Sequence, residues 1–182
     1  ASVKCWGSNS FGQLGIGDTV GRGDNSNEMG DNLPTVDLGT GRTAIAIDAG
    51  WEHSCVILDN ASVKCWGNGG DGRLGQGNTN KIGDGANEMG DNLTIVDLGT
   101  GRTATAIAAG AYVSCAILDN ASVKCWGGGG QLGLGDRNSR GDGANEMGDN
   151  LPSIDLGTGR TATAISTGFH TCALLDNASV KC

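Results

Sequence analysis

The sequence predicts an all-β chain of three tandem four-stranded units, on three observations. One motif set recurs along almost the whole length. The apolar runs are short and follow a strand period rather than a helical one. Glycine supplies 34 of 182 residues, far above the usual ~7%, with no every-third-residue spacing, which excludes a collagen helix.

The recurrence comes first, because a missed period misassigns a whole fold. ASVKCWG stands at 1–7, 61–67 and 121–127, and its first five residues return at 178–182. NEMGDNL stands at 27–33, 87–93 and 145–151, and DLGTGRTA at 37–44, 97–104 and 155–162. The copies are spaced by 60, 60 and 57 residues. The repeats therefore divide as 1–60, 61–120 and 121–177, with 178–182 the first strand of a fourth. Opening and closing on the same strand, the segment reads as cut from a continuous array.

Each copy reads as four strands. From Thr43, TAIAIDAG alternates small and apolar residues and stops at Gly50. HSCVILDN (53–60) and ASVKCWG (61–67) form a hairpin around Asp59-Asn60-Ala61, where Asp and Asn accept tight bends and bond locally. LPTVDLG (33–39) is the fourth, after a long polar loop. Nothing carries a helical period.

Gly50-x-x-His53, then Cys65-Trp66-Gly67, then Gly72-x-Leu74-Gly75-x-Gly77 resembles a blade of the regulator of chromosome condensation repeat family. Ser8 to Gly17 (SNSFGQLGIG) matches the second half of that pattern, and Ser166 to Leu175 (STGFHTCALL) the first. The chain departs from it in the inserted acidic loop and at Val113, which replaces the histidine. The resemblance implies a β-propeller of four-stranded blades, usually seven. Three blades do not close a ring, since closure takes about four or more. The array then joins further blades, pairs with another chain, or stacks openly. Exchange-factor and inhibitor activities of some family members are not carried over, because no residue matches a contact motif.

Six of the seven cysteines fall ten residues apart across the hairpins: Cys55 with Cys65, Cys115 with Cys125, Cys172 with Cys182. A three-residue loop at 59–61 sets residues whose numbers sum to 120 opposite one another, so Cys55 faces Cys65. Directly opposed residues approach to ~4.5–5.5 Å, within disulfide reach. Cys5 is left over, its expected partner lying before Ala1. Three bridges imply an oxidising compartment, extracellular, cell-surface or periplasmic, the alternative being buried reduced cysteines in a cytosolic protein; paired zinc spacing is lacking.

Three further patterns concern ligands and modification. The acidic loop places Asp24, Glu28 and Asp31, then Asp84, Glu88 and Asp91, then Asp142, Glu146 and Asp149 near a glycine. These are oxygen ligands of the kind calcium takes, although a solvated structural turn uses the same residues and no EF-hand pattern is present. Asn60, Asn120 and Asn177 each open an Asn-Ala-Ser glycosylation acceptor at a hairpin tip. Arg22-Gly23-Asp24 and Arg140-Gly141-Asp142 spell an adhesion tripeptide that Asp- and Gly-rich loops produce easily.

His53 and His170 sit at the resembling family's strand start, where the ring satisfies backbone groups between blades. Trp6, Trp66 and Trp126 share one phase and are expected between blades with the indole N–H on backbone. Trp51 has no repeat equivalents, Ala111 and Phe169 standing there, and is expected to be more exposed. No nucleophile–base set, phosphate loop or carboxylate pair is present, and a catalytic pocket needs unique groups converging.

With 20 acidic against 12 basic residues, the net charge of −8 disfavours nucleic acid. No apolar run approaches the ~20 residues a membrane helix needs. The sequence-level expectation is a non-enzymatic extracellular structural or adhesive protein that self-associates through blade faces, as a fibre. The alternative is a closed propeller, completed by more blades or a second chain, that binds a protein.

Overall fold

The computed structural model describes residues 1–182 as nine strands in three antiparallel sheets. Sheet 1 is β1 (Ala44–Ala49), β2 (His53–Leu58) and β3 (Val63–Gly67). Sheet 2 is β4 (Ala104–Ala109), β5 (Val113–Leu118) and β6 (Val123–Gly127), and sheet 3 is β7 (Ala162–Thr167), β8 (Thr171–Leu175) and β9 (Val180–Lys181). The only helical pieces are single 3-10 turns such as Gly30–Asn32 and Gly90–Asn92.

The hairpin register follows the loop length. Ala61, Ala121 and Ala178 turn the chain at φ of 62°, 61° and 63°, the left-handed residue of a three-residue loop. Cys55 therefore pairs with Cys65 and Cys115 with Cys125 in the ladder. All three disulfides form at Cα separations of 4.1, 4.1 and 4.0 Å, and Cys5 is free. β2, β3, β5 and β6 are buried along their whole length, because both faces of each sheet are covered.

The fourth strand expected over 33–39, and the four-stranded blade with it, is corrected to three-stranded sheets flanked by an extended segment. That segment makes one backbone bond to the neighbouring edge: Val36 N–H to Val3 O, Val96 N–H to Val63 O, and Ile154 N–H to Val123 O. Its other polar groups are taken elsewhere. Pro34 lacks an N–H, Asp37 and Asp97 give their carbonyls to Gly90 and Gly148, and the Leu38 and Leu98 carbonyls accept from lysine side chains. A ladder needs consecutive backbone groups left over, and few are.

The cores lie between neighbouring sheets. Cys55, Ile57, Val63 and Cys65 on one face of sheet 1 meet Ala104, Ala116, Leu118 and Trp126 of sheet 2. The opposite face, with Ala44, Val56, Leu58 and Trp66, meets Val3, Val36 and Leu38. Trp66 and Trp126 donate to the Gln13 and Arg73 carbonyls at 3.0 Å each. Gly15 and Gly75, at φ of 66° and 68°, lie against those indole nitrogens, where a Cβ would intrude. Trp6, at the same phase, is 63% exposed.

The sheets fan about an axis rather than stacking in a straight line. β1 contacts β4, β4 contacts β7, and Trp51 of the first repeat touches Phe169 of the third. No ring is closed. No helix is long and apolar enough to cross a membrane.

Candidate functional site

The near-identical copies differ mainly in the loop after Trp-Gly and where the first strand of each sheet turns into the second: Trp51-Glu52-His53, Ala111-Tyr112-Val113 and, one residue shorter, Phe169-His170. The fold brings these turns together at one end of the axis. Trp51 N–H donates to Gly110 O at 3.3 Å and Ala111 N–H to Gly168 O at 3.0 Å, linking them in sequence.

Three aromatic side chains from three repeats meet there. The Trp51 and Phe169 centroids lie 4.6 Å apart at 85°, and Tyr112 and Phe169 6.0 Å apart at 58°. Edge-to-face pairing of this kind adds about 0.5–1.5 kcal/mol to burial. Trp51 and Phe169 nonetheless remain more than half exposed, and Tyr112 partly so. An exposed aromatic cluster of this kind marks an interaction surface more often than a scattered apolar residue does.

Arg73 holds the cluster from below. Its side chain is 3% exposed, with the guanidinium 5.0 Å from the Tyr112 ring centre. Nη1 donates to Ala111 O at 2.9 Å and lies 3.5 Å from Glu52, while Nη2 reaches Asp71 at 3.3 Å. Repeats 1 and 3 carry Gln13 and Gln131 at this position. The sequence marks Arg73 only by this departure from glutamine.

His53 lies below the same turn, 1% exposed. Ser114 Oγ gives its proton to Arg73 O at 2.8 Å, so His53 Nε2, 2.8 Å from that hydroxyl, carries the hydrogen and donates. Nδ1 is then a buried acceptor without a partner. Burial, reinforced by the Arg73 charge, drives the His53 pKa down to about 3. The expected backbone bond is thus corrected to a side-chain hydroxyl of the next repeat. His170 is exposed.

The nine loop acids are not gathered into one cluster; no three acidic, histidine or cysteine groups converge. Glu28 accepts the N–H groups of Gly23 and Asn25 at 2.8 and 3.0 Å. Those amides hold its carboxyl down to about 2. Glu88 and Glu146 cap their own loops in the same way. Asp91 and Asp149 accept from the N–H and hydroxyl of Thr40 and Thr100 in the preceding repeat. Asp84 lies 3.7 Å from Lys81, and Asp24 accepts from Asn25. Asp31 is exposed, and Asp142 is raised by burial and by the adjoining Glu146.

Asn60, Asn120 and Asn177 are exposed at the hairpin tips, each accepting the following Ser hydroxyl at 2.7 Å. Arg22 and Arg140 turn back onto Asp18 and Asp136 at 2.6 and 2.8 Å. Two buried lysines went unnoticed in the sequence. Lys64 Nζ donates to Leu38 O and Gly90 O, and Lys124 Nζ to Leu98 O and Gly148 O. Each sits in an identical Val-Lys-Cys run, and that recurrence was the readable signal.

The regulator of chromosome condensation (RCC1) repeat model matches residues 2–57, and a second model of the same description matches 44–73. Among solved structures, human WBSCR16 is similar at 18% identity and a TM-score of 0.66, over 96% of this chain and 40% of that one. Prp20p of Saccharomyces cerevisiae, described with its binding properties to Gsp1p and histones, is similar at 16% identity and 0.58, over 97% and 39%. The CRINKLY WD40 ectodomain of the Arabidopsis thaliana receptor kinase ACR4 is similar at 19% identity and 0.50, over 98% and 46%. The chain thus spans less than half the length of these propellers. The matched residues recur almost unchanged through the other two copies, so all three disulfide-bearing copies are similar to the regulator of chromosome condensation repeat.

Proposed function

We propose that this chain is a non-enzymatic protein-binding segment of a propeller, working outside the reducing cytoplasm, with the Trp51–Tyr112–Phe169 cluster as its contact surface. One observation carries the reading: residues that differ between otherwise near-identical copies converge, exposed and aromatic, at one end of the axis. Aromatic anchors dominate protein interfaces energetically. Prp20p, the yeast neighbour, is described with protein partners, which supports a protein ligand without naming it. The surroundings favour binding over catalysis, because Arg73 and Glu52 engage each other and the one hydroxyl–imidazole pair there, Ser114 with His53, is fully buried, the hydroxyl committed to Arg73 O. The extracellular or cell-surface placement rests on three disulfides in 182 residues.

A photoreactive amino acid installed at position 51 in the native host tests the reading. It is expected to capture a defined protein partner, with capture lost in Phe169→Ala. Random labelling unaffected by Phe169→Ala overturns it. Alkylation before lysis reports the compartment: Cys55 and Cys65 blocked from reagent support it, and reduced thiols contradict it.

A second reading, self-assembly of the copies as a structural array, is favoured by their near-identity, which repeats one blade-to-blade contact along the chain: Trp66 and Trp126 each donate to the carbonyl of the preceding copy's Gln13 and Arg73.

A further inference from the structure

Where the first repeat meets the second, the chain supplies a cation to an aromatic ring. Lys81 Nζ stands 5.6 Å from the centre of the Phe11 ring, the geometry of a cation–π pair. Where the second repeat meets the third, the equivalent places hold Ser139 for Lys81 and Asp71 for Phe11. Backbone bridges fix that register, since Gly67 pairs with Ile82 and Gly127 with Arg140, each one residue beyond the lysine or the serine. The lysine is gone there and a carboxylate replaces the ring. Lys81 also lies 3.7 Å from Asp84, and the equivalent carboxylate, Asp142, remains without that lysine. Arg140 does not replace it, being held by Asp136 at 2.8 Å.

What remains is a cleft of about 300 Å³ walled by Asp71, Tyr112, Gln131, Ser139 and the backbone of residues 128–130. All of it lies in the interior of the sequence, between residues 71 and 139. Its opening has a cause in the sequence. The loop after Gly127 is two residues shorter than those after Gly7 and Gly67, and its first three residues are glycines. A Cβ added at Gly130 would meet nothing within 4 Å.

The wall is rich in acceptors. The Asp71 side chain is half exposed and gives one carboxylate oxygen to Arg73 Nη2 at 3.3 Å. The Gln131 side-chain oxygen is buried with no donor, and buried polar atoms are normally paired, so this one favours a ligand that brings N–H groups. Charge points the same way. Glu52 and Asp71 share the single guanidinium of Arg73, which leaves the group of three net negative. Tyr112 supplies the aromatic wall, and its ring lies 6.0 Å from Phe169, so the cleft is continuous with the exposed aromatic cluster.

Resting on the reading of that cluster as a protein-contact surface, we propose that the cleft receives an arginine side chain of the partner protein. The guanidinium lies against Tyr112 and donates to Asp71 and to the Gln131 side-chain oxygen. A planar fork of five donors serves a carboxylate and a second acceptor while stacking on a ring. A hydroxyl ligand brings one donor and no charge, and a carboxylate ligand meets Asp71 with like charge. The partner's arginine thus supplies between the second and third repeats the cation that Lys81 supplies between the first and second. Arginine is also among the side chains that anchor protein interfaces most strongly.

The test titrates the purified, oxidised 182-residue chain with the blocked peptide acetyl-Gly-Arg-Gly-amide and follows the spectrum by NMR. The ring of Tyr112, the chain's one tyrosine, and the Gln131 side-chain amide should shift saturably, with a Kd in the millimolar range. The same peptide with citrulline, the neutral isostere, should bind about tenfold more weakly, having lost the charge-assisted bond. Asp71→Asn should weaken the arginine peptide about threefold or more. Gly130→Leu places a side chain in open space at a position of ordinary φ and should block the peptide, thermal melts confirming that both variants fold. No saturable shift of Tyr112, or equal binding of the citrulline peptide, overturns the arginine pocket. Partner capture from position 51 separates the two readings. Capture lost in Phe169→Ala but retained in Gly130→Leu overturns the pocket and leaves the contact surface standing, whereas capture indifferent to Phe169→Ala overturns both.

Discussion

Replacing His53 with valine, the residue the second repeat already carries as Val113, should flatten the acid sensitivity of the fold. His53 is buried and neutral, and its pKa is lowered to about 3 from an ordinary 6.5 by burial and by Arg73. Between those values the unfolded chain binds a proton that the native chain excludes, so stability falls as pH drops through that window. The slope is about 1.4 kcal/mol per pH unit. Two units below 6.5, at pH 4.5, the wild type should have lost about 2.7 kcal/mol from this group. The structural cause is the orphaned Nδ1, which on protonation becomes a buried donor without an acceptor. At pH 7 the substitution should be nearly neutral, within about 1 kcal/mol, since it gives up the Ser114 bond and also removes the unpartnered atom. Urea unfolding at pH 7, 5.5 and 4.5 measures the difference, carboxylate effects being common to both proteins. Parallel loss of stability in wild type and His53→Val refutes the reasoning.

Other consequences follow from single contacts. Ala61→Gly, Ala121→Gly and Ala178→Gly each relieve a left-handed alanine and should each stabilise by about 1 kcal/mol in thermal unfolding. Arg73→Gln, the residue of the other two repeats, should cost about 1–3 kcal/mol through the lost Ala111 and Glu52 contacts and change Tyr112 fluorescence. Removing the Cys115–Cys125 bridge with paired alanines should cost about 2–3 kcal/mol, as expected for a loop of ten residues. The Glu28 carboxyl should titrate by NMR near 2 rather than 4.5, because the amides of Asn25 and Gly23 favour its ionised form. Its contribution is present above its ordinary range and is lost as pH falls toward 2.

The hairpins were legible because they are local: a three-residue loop and a period of two set Cys55 opposite Cys65 before any coordinate is consulted. Strand periodicity also placed β1 to β3 to within two residues. The segment 33–39 misled because extended conformation and ladder pairing leave the same apolar alternation. What decides between them is where its carbonyls go, and Lys64 taking Leu38 O is a long-range fact. The phase of Trp66 and Trp126 was readable from recurrence, whereas the meeting of Trp51, Tyr112 and Phe169 was not. Their sequence positions are not even equivalent, since Tyr112 aligns with Glu52, one residue beyond the place that Trp51, Ala111 and Phe169 share. Only the fanning of the sheets brings them into contact. The acidic loops offered oxygen-rich composition, but composition does not say whether an oxygen faces an ion or its own backbone amide, and Glu28, Glu88 and Glu146 face amides.

The convergence of the first and third repeats is the claim on which the binding surface stands, and it yields to one measurement. The chain has two phenylalanines, so ring-labelled Phe169 is readily assigned in an NMR spectrum. With centroids 4.6 Å apart, its ring protons should show a strong Overhauser effect to the Trp51 indole in the folded, oxidised chain. A folded spectrum in which Phe169 sees only its own repeat would mean that the sheets do not fan about a common axis, and the composite aromatic surface would not exist.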